Sequence, residues 1–406
     1  MPYLNISDMS RVNYNRRKFL RIGAAGAAGA IVLKGSAAAV SDMQDNNIAT
    51  RILGRTNIKI PVISFGVMRA DSPALCRAAW ENGIRLFDTA NVYQNGNNES
   101  MLGNLFKDLP RDSFMIETKV KPSGVGQNGL PTSQTTTDDF LTKFKTSLSR
   151  LKLDYVDFLL VHDVSTPEML NHKPLIAALS RLKKEKKTRF VGFSTHNNMA
   201  GVIRAASESG FWDVILTSYN FRLPNISEMN EAVEKAASAG IGIIAMKTLA
   251  GGAFLDKEKT KPVNTTAAIK WALSNPNIHT TIPGMTTFDH LTANLAILKD
   301  PVLNENEKKD LITMAAEPGM YCIGCNQCLE TCRLRLPVPD LMRAYMYTYG
   351  YSNGRMAYDL LGSLGTGAAP CVNCNSCTVK CTNNFNVKEK ISDVWRLVNM
   401  PSEFIA

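Results

Sequence analysis

Nowhere does this 406-residue sequence hold the run of about 20 apolar residues that a comfortable bilayer span needs. A stable membrane-spanning helix is therefore not expected. Acidic residues are also in deficit, with 36 Asp and Glu against 46 Lys and Arg, a formal charge of +10. A surplus of that size points to nucleic acid or an anionic surface only where it forms one stripe or patch. Here half of it sits in the first 39 residues, where Arg11, Arg16, Arg17, Lys18, Arg21 and Lys34 face the single acid Asp8. The remainder is thinly spread, and no nucleic-acid partner is expected. No Gly-x-Gly-x-x-Gly follows the first candidate strand, which weakens a doubly wound dinucleotide-binding sheet. With 45% hydrophobic residues, the composition excludes a disordered chain and a collagen-like repeat.

What the first 39 residues do contain is a polar basic start, a weakly apolar stretch from Ile22 to Leu33 made largely of Gly and Ala, and a small-residue end at Ala37–Ala39. That order is the architecture of an export signal. The alternative is a basic amphipathic helix lying on a membrane surface. Arg16-Arg17-Lys18-Phe19-Leu20-Arg21 resembles the twin-arginine signal. The resemblance implies export of the folded protein through the twin-arginine translocon, cleavage before Val40 and a periplasmic location.

From Arg51 onward, short apolar runs alternate with helical patterns. The spacing predicts strands over Ile60–Val67, Ile84–Thr89, Phe114–Val120, Tyr155–His162, Arg189–Ser194, Val214–Tyr219, Ile241–Lys247 and Thr280–Pro283, each followed by a helix. Near-continuous runs such as Phe158-Leu159-Leu160-Val161 fit parallel strands buried on both faces. Eight such units in about 250 residues predict a (β/α)8 barrel within residues 40–316. Active sites of such barrels lie at the carboxyl ends of the strands. Asp88, Lys119 and His162 end three of the predicted strands, and Tyr93 follows in a loop. Buried charge there has to be paired, so the four are expected to meet. An ammonium beside a phenol lowers a pKa that is ordinarily about 10, making Tyr93 a proton donor. His162 is placed to hydrogen-bond a substrate carbonyl oxygen.

Phe87-Asp88-Thr89-Ala90-Asn91-Val92-Tyr93, Glu117-Thr118-Lys119 and Leu160-Val161-His162 resemble the motifs of the aldo-keto reductases, over about Arg51 to Leu298. The resemblance implies a catalytic tetrad of Asp88, Tyr93, Lys119 and His162, with Tyr93 as general acid and base. It also implies a nicotinamide cofactor. Gly66 and Met68 fall on its expected path, Ser194 and Thr195 on the carboxamide, and Thr248, Leu249 and Gly251 on the pyrophosphate. Gly284 and Asn294 fall toward the adenosine end. Many members carry Lys and Arg for a 2′-phosphate where this chain has Gly284 and His290, so NAD and NADP both remain open. Met246 and Leu216 likewise stand where an aromatic and a Gln are common.

Cys322, Cys325, Cys328 and Cys332 form C-x2-C-x2-C-x3-C, and Cys371, Cys374, Cys377 and Cys381 repeat it. Three thiolates at such spacing converge from a tight loop and a fourth arrives from elsewhere, as in cubane iron–sulfur sites. Zinc and disulfides are the alternatives. By similarity to two-cluster ferredoxins, Cys322, Cys325, Cys328 and Cys381 are expected on one [4Fe-4S] cluster and Cys371, Cys374, Cys377 and Cys332 on the other. Arg333 and Thr382 stand where a Pro is common. Residues 317–406 are read as a small α-rich, ferredoxin-like iron–sulfur domain, and Cys76 as a core residue.

The combined expectation is a periplasmic oxidoreductase that moves hydride between a nicotinamide and a small carbonyl or alcohol substrate. Two clusters would relay electrons to a possible electron-transfer partner. The alternatives are a reductase with purely structural clusters and a redox-sensing binding module.

Overall fold

The structure is a computed structural model, and it describes residues 48–126, 128–250, 260–317, 319–365, 371 and 374–405. The expected export segment, its cleavage point before Val40, and Gly251 lie outside the described residues. No described helix is long and apolar enough to cross a membrane.

Eight strands form one parallel sheet in chain order: β3 (Phe65–Gly66), β4 (Leu86–Asp88), β5 (Met115–Val120), β6 (Val156–Val161), β7 (Thr188–Thr195), β8 (Val214–Ser218), β9 (Gly242–Met246) and β10 (Thr280–Thr281). The sheet closes on itself. Ile63 bridges Thr281 and Gly66 bridges Gly284, and the Ser64 N–H donates to the Thr281 carbonyl at 2.8 Å. Both faces of the strands are buried, which is why their sequences read as unbroken apolar runs. Leu86, Phe158, Leu160, Val214, Leu216 and Ile244 form one cluster, while Phe87, Ile116, Leu159 and Val161 belong to a larger one with the surrounding helices. Each such side chain removed from water contributes roughly 1.5–3 kcal/mol.

The continuous first strand expected over Ile60–Val67 is divided. Its first part belongs to an antiparallel hairpin of β1 (Thr50–Ile52) and β2 (Lys59–Pro61), in which Arg51 pairs with Ile60. Past Pro61 the Val62 N–H still donates to the Ala49 carbonyl at 3.0 Å, Ile63 and Ser64 reach Thr281 of β10, and pairing with β4 begins at Phe65. The hairpin caps the amino-terminal end of the barrel. The Arg55 N–H donates to the Gly240 carbonyl at 2.6 Å, and a Cβ at Gly54 (φ +51°) would stand 2.4 Å from the Gly242 nitrogen. Only glycine fits both that conformation and that approach.

Helices follow the strands as the pattern predicts: α1 (Pro73–Glu81), α2 (Asn97–Phe106), α3 (Thr137–Leu151), a short α4 (Pro167–Leu170), α5 (Lys173–Lys184), α6 (Met199–Ser209), α7 (Ile226–Ser238), α8 (Thr265–Ser274) and α9 (Phe288–Lys299). In α3 the buried Phe140, Phe144, Ser147 and Leu151 recur at helical spacing. The Thr136 hydroxyl caps it by accepting the Asp139 N–H, and Lys152 ends it in the left-handed region.

Beyond α10 (Glu305–Ala316), the chain adds α11 (Cys328–Thr331), α12 (Val338–Tyr349), α13 (Gly354–Leu364) and α14 (Val387–Trp395). Leu341, Met342 and Tyr345 of α12, Ala357 and Leu361 of α13, and Ile391, Val394 and Trp395 of α14 form a separate apolar cluster. These helices and the barrel belong to one compact unit.

Candidate active site

The carboxyl ends of β4 and β5 bring Asp88 and Lys119 together in an ion pair of two almost fully buried side chains. The Lys119 ammonium also donates to the Thr89 carbonyl at 2.7 Å and reaches the Tyr93 hydroxyl at 3.5 Å. Its three N–H groups thus have three acceptors, which is what a buried ammonium requires. The Asp88 charge offsets the cost of burial and holds the Lys119 pKa above its ordinary value. The His162 ring, at the end of β6, stands edge-on to Tyr93 with centroids 5.8 Å apart. The three residues predicted from strand ends and Tyr93 from the loop therefore lie in one group.

Their electrostatics assign protonation states. Burial pushes the Tyr93 phenol up to about 12, and the Lys119 charge opposes that rise. Burial, with Lys119 acting in the same direction, lowers His162 to about 3. The imidazole is therefore neutral at any ordinary pH, and its buried Nδ1 has no partner among the described residues. A neutral imidazole and a phenol facing one space form a pair of hydrogen-bond donors for a single oxygen.

That space is a cavity of about 650 Å³, within the range of small-molecule sites. Asp88, Tyr93 and His162 line its floor, and Gly66, Met68, Thr248, Leu249, Gly284 and Asn294 are also in its walls. Ser194 and Thr195 are not part of the described lining. Both are fully buried, Ser194 Oγ accepting the Asp163 N–H at 3.0 Å and the Thr195 hydroxyl donating to the Asn197 carbonyl at 3.1 Å.

One wall was not foreseen. It comes from α12, α13 and the turn between them, which supply Arg343, Tyr347, Tyr351, Met356 and Leu360. Arg343 Nη2 lies 2.7 Å from Asp340 Oδ1, and its Nη1 faces Asp163. Burial holds the Tyr347 phenol above its ordinary value despite the Arg343 charge. Arg69 stacks over the Tyr351 ring at 4.8 Å and donates to its carbonyl at 3.0 Å, tying the barrel rim to this wall. Lys247 lies at the same rim, lowered to about 7 by burial and then by Arg343. The only advance signal was the helical pattern around Asp340–Tyr349, which places Arg343 and Tyr347 one turn apart.

The cysteines are free thiols, Cys76 a fully buried one in the barrel core, and among the described residues no three metal-binding side chains meet around a single point. Their neighbourhoods nonetheless fall into two sets. Burial lifts Cys322 to about 11 and Cys328 to about 12, and both also feel Cys325 and Cys381. Burial likewise lifts Cys371 to about 11, and its thiol neighbours are Cys374, Cys377 and Cys332.

Residues 65–266 match the model of the aldo/keto reductase family. L-galactose dehydrogenase of Arabidopsis thaliana is 28% identical over 293 residues, covering 62% of this chain and 89% of that protein. A putative voltage-gated potassium channel subunit beta of Schizosaccharomyces pombe is 30% identical over 171 residues, 39% of this chain and 48% of its own length. The holo form of aldo-keto reductase AKR11C1 from Bacillus halodurans superposes with a TM-score of 0.54 at 20% identity, over 68% of this chain and 99% of that one, a likeness of fold. The matched sequence runs through β4, β5 and β6 and so carries the strand ends that gather around Lys119; by that match residues 65–266 belong to the aldo/keto reductase family.

Proposed function

We propose that this chain transfers hydride between a nicotinamide cofactor and a small carbonyl or alcohol substrate, with Tyr93 as the proton donor and acceptor. The observation that carries the reading is the Lys119 ammonium shared between Asp88 and Tyr93 beneath a cavity faced by His162. In the reducing direction, His162 and Tyr93 orient the carbonyl oxygen and stabilise the charge that grows on it. Tyr93 then gives up its proton, and the fixed charge of Lys119 stabilises the phenolate left behind. Asp88 keeps Lys119 charged and aimed.

The cofactor, when bound, supplies the hydride. The cavity fits it: Asn294 Nδ2 donates to the His290 carbonyl at 2.8 Å, while its buried Oδ1 has no partner among the described residues and is free to accept from a base amino group. Gly284, where an added Cβ would meet little, leaves the backbone open to a close approach, while Gly66 makes room for the Ile282 carbonyl, and Thr248 and Leu249 lie along the wall. Neither Gly284 nor His290 supplies a strong positive charge for a 2′-phosphate, so the reading covers NAD and NADP alike.

In the same reading, Cys322, Cys325, Cys328 and Cys381 hold one [4Fe-4S] cluster and Cys371, Cys374, Cys377 and Cys332 the other. The two sets of neighbouring thiols support that division. A cubane keeps its four sulfurs farther apart than one metal ion does, so such sets suit it better than zinc. The clusters, when bound, supply one-electron storage, relayed to a partner protein. Residues 1–39 direct the folded, loaded chain to the periplasm through the twin-arginine translocon, and residues 317–406 act as the iron–sulfur domain. Anaerobic purification of the exported protein, with bound nicotinamide, iron and sulfide measured together, tests the whole. Iron and sulfide without nicotinamide would remove the reductase half, and nicotinamide without iron the cluster half.

A further inference from the structure

Glu117 stands on β5 two residues before Lys119, so both side chains leave the same face of the strand, toward the barrel interior. Across the sheet it is in register with Asp88 on β4 and Phe158 on β6. It is fully buried, and no donor among the described residues reaches its carboxyl oxygens, whose side-chain neighbour at hydrogen-bonding range is Asp88, itself an acceptor. The charged and titratable groups facing it are Asp88 and Lys119, with Tyr93 beyond them. The other inward residues beside it on the neighbouring strands, Leu86 and Phe158, are apolar.

An ionised carboxylate has little to hold it here. Water is excluded, and the nearest cation is already matched by Asp88. Burial, followed by the adjacent Asp88 charge, raises the Glu117 carboxyl well above the usual carboxylate range. A neutral acid carries an O–H that needs an acceptor, and the acceptor in register is Asp88. Were Glu117 ionised instead, its charge would hold the Tyr93 proton more tightly and oppose Lys119.

We propose that Glu117 is a positioning residue, a neutral carboxylic acid whose O–H donates to the Asp88 carboxylate and keeps that carboxylate turned onto Lys119. Its effect on rate rests on the reductase reading above; its protonation does not. Leucine serves a residue that only fills space, whereas glutamine keeps an N–H in nearly the same place.

The test uses the full chain and its Glu117→Gln and Glu117→Leu variants, with NADPH and 4-nitrobenzaldehyde as the carbonyl probe. Infrared difference spectra of wild type against Glu117→Gln, at pH 8, should show the band of one un-ionised carboxylic acid. Glu117→Gln should keep kcat within about threefold, while Glu117→Leu lowers kcat about 10- to 100-fold and leaves KM within about twofold, the range of a hydrogen bond to a charged group. Absence of the band overturns the proposal. So does wild-type kcat in both variants, which makes Glu117 a filler, and so does a Gln variant as damaged as Leu, which makes an ionised carboxylate the active form. If the Leu variant does not fold, the band and the Gln variant still decide the matter. A wild-type protein that shows the band but reduces no carbonyl compound supports the protonated pair and sinks the reductase reading instead.

Discussion

Arg343 Nη1 lies 3.5 Å from Oδ2 of Asp163, the residue that follows His162 in the chain. Asp163 itself is held in the left-handed region at φ +64°, with its N–H on Ser194 Oγ. A helix from beyond the barrel thus grips the turn that carries the imidazole. Arg343→Met strands Asp163 and Asp340 without their shared cation, and breaking a buried pair costs about 3–5 kcal/mol. Urea unfolding should show a loss of about that size, with part of it recovered in an Arg343→Met, Asp163→Asn double variant. Steady-state kinetics should show kcat falling as His162 loses its fixed position. An unchanged kcat would separate the helix from the reaction.

Tyr93→Phe removes one oxygen and little else. Turnover should fall about 10²- to 10⁴-fold, the worth of a positioned proton donor, while cofactor affinity measured by fluorescence titration stays within about twofold. Lys119→Met should lose a comparable factor in turnover and also stability, because Asp88 is then left buried beside Glu117 with no counter-charge. Full turnover in Tyr93→Phe would revive the binding-module alternative.

His162 is lowered to about 3 and His196 well below its ordinary value, burial being the first cause for both. Below about pH 6.5 the unfolded chain protonates these rings and the folded chain does not, so the unfolded state binds more protons. Stability therefore rises with pH through that window and is lost on acidification. Each ring contributes a slope of up to about 1.4 kcal/mol per pH unit. Denaturant unfolding at pH 7, 6 and 5 should show a shallower dependence in His162→Asn than in wild type, and identical slopes would contradict the buried neutral ring.

The thiol neighbourhoods make a pairing prediction. In anaerobically purified protein, Cys322→Ser and Cys381→Ser should each remove about half the iron, and the double variant no more than either alone, because one cluster is lost once. Cys322→Ser with Cys332→Ser should remove nearly all of it. If Cys381→Ser instead adds to Cys322→Ser, and Cys332→Ser does not, the fourth ligands do not cross between the runs.

The barrel and its tetrad were legible because Asp88, Lys119 and His162 interrupt apolar strands, and a charge at the end of a buried run has few innocent explanations. The wall built by Arg343 and Tyr347 was not legible. One face of α12 packs on Ile391 and Trp395 while another meets the barrel rim, and helical periodicity records that a face is buried without naming what buries it. Glu117 was visible within its motif but passed as part of a strand, since its meaning depends on register with Asp88. Ser194 and Thr195 sit at the end of the expected strand, yet their hydroxyls are taken up by backbone, Ser194 by the turn after β6 and Thr195 by the turn that follows it. The run Ile60–Val67 looked continuous because apolarity does not distinguish a hairpin plug from a barrel stave, and Val62 bonds to both.

The plug at Gly54 and the packed layer of Leu86, Phe158 and Leu216 leave the barrel with one open end. In the proposed function, cofactor, substrate and the protons exchanged at Tyr93 would pass through the same doorway, which Tyr347 and Tyr351 line. Traffic at this site is therefore sequential by construction: whatever lies nearest His162 leaves last, and replacing the tyrosines of the doorway should alter rates of entry and release before it alters the chemical step.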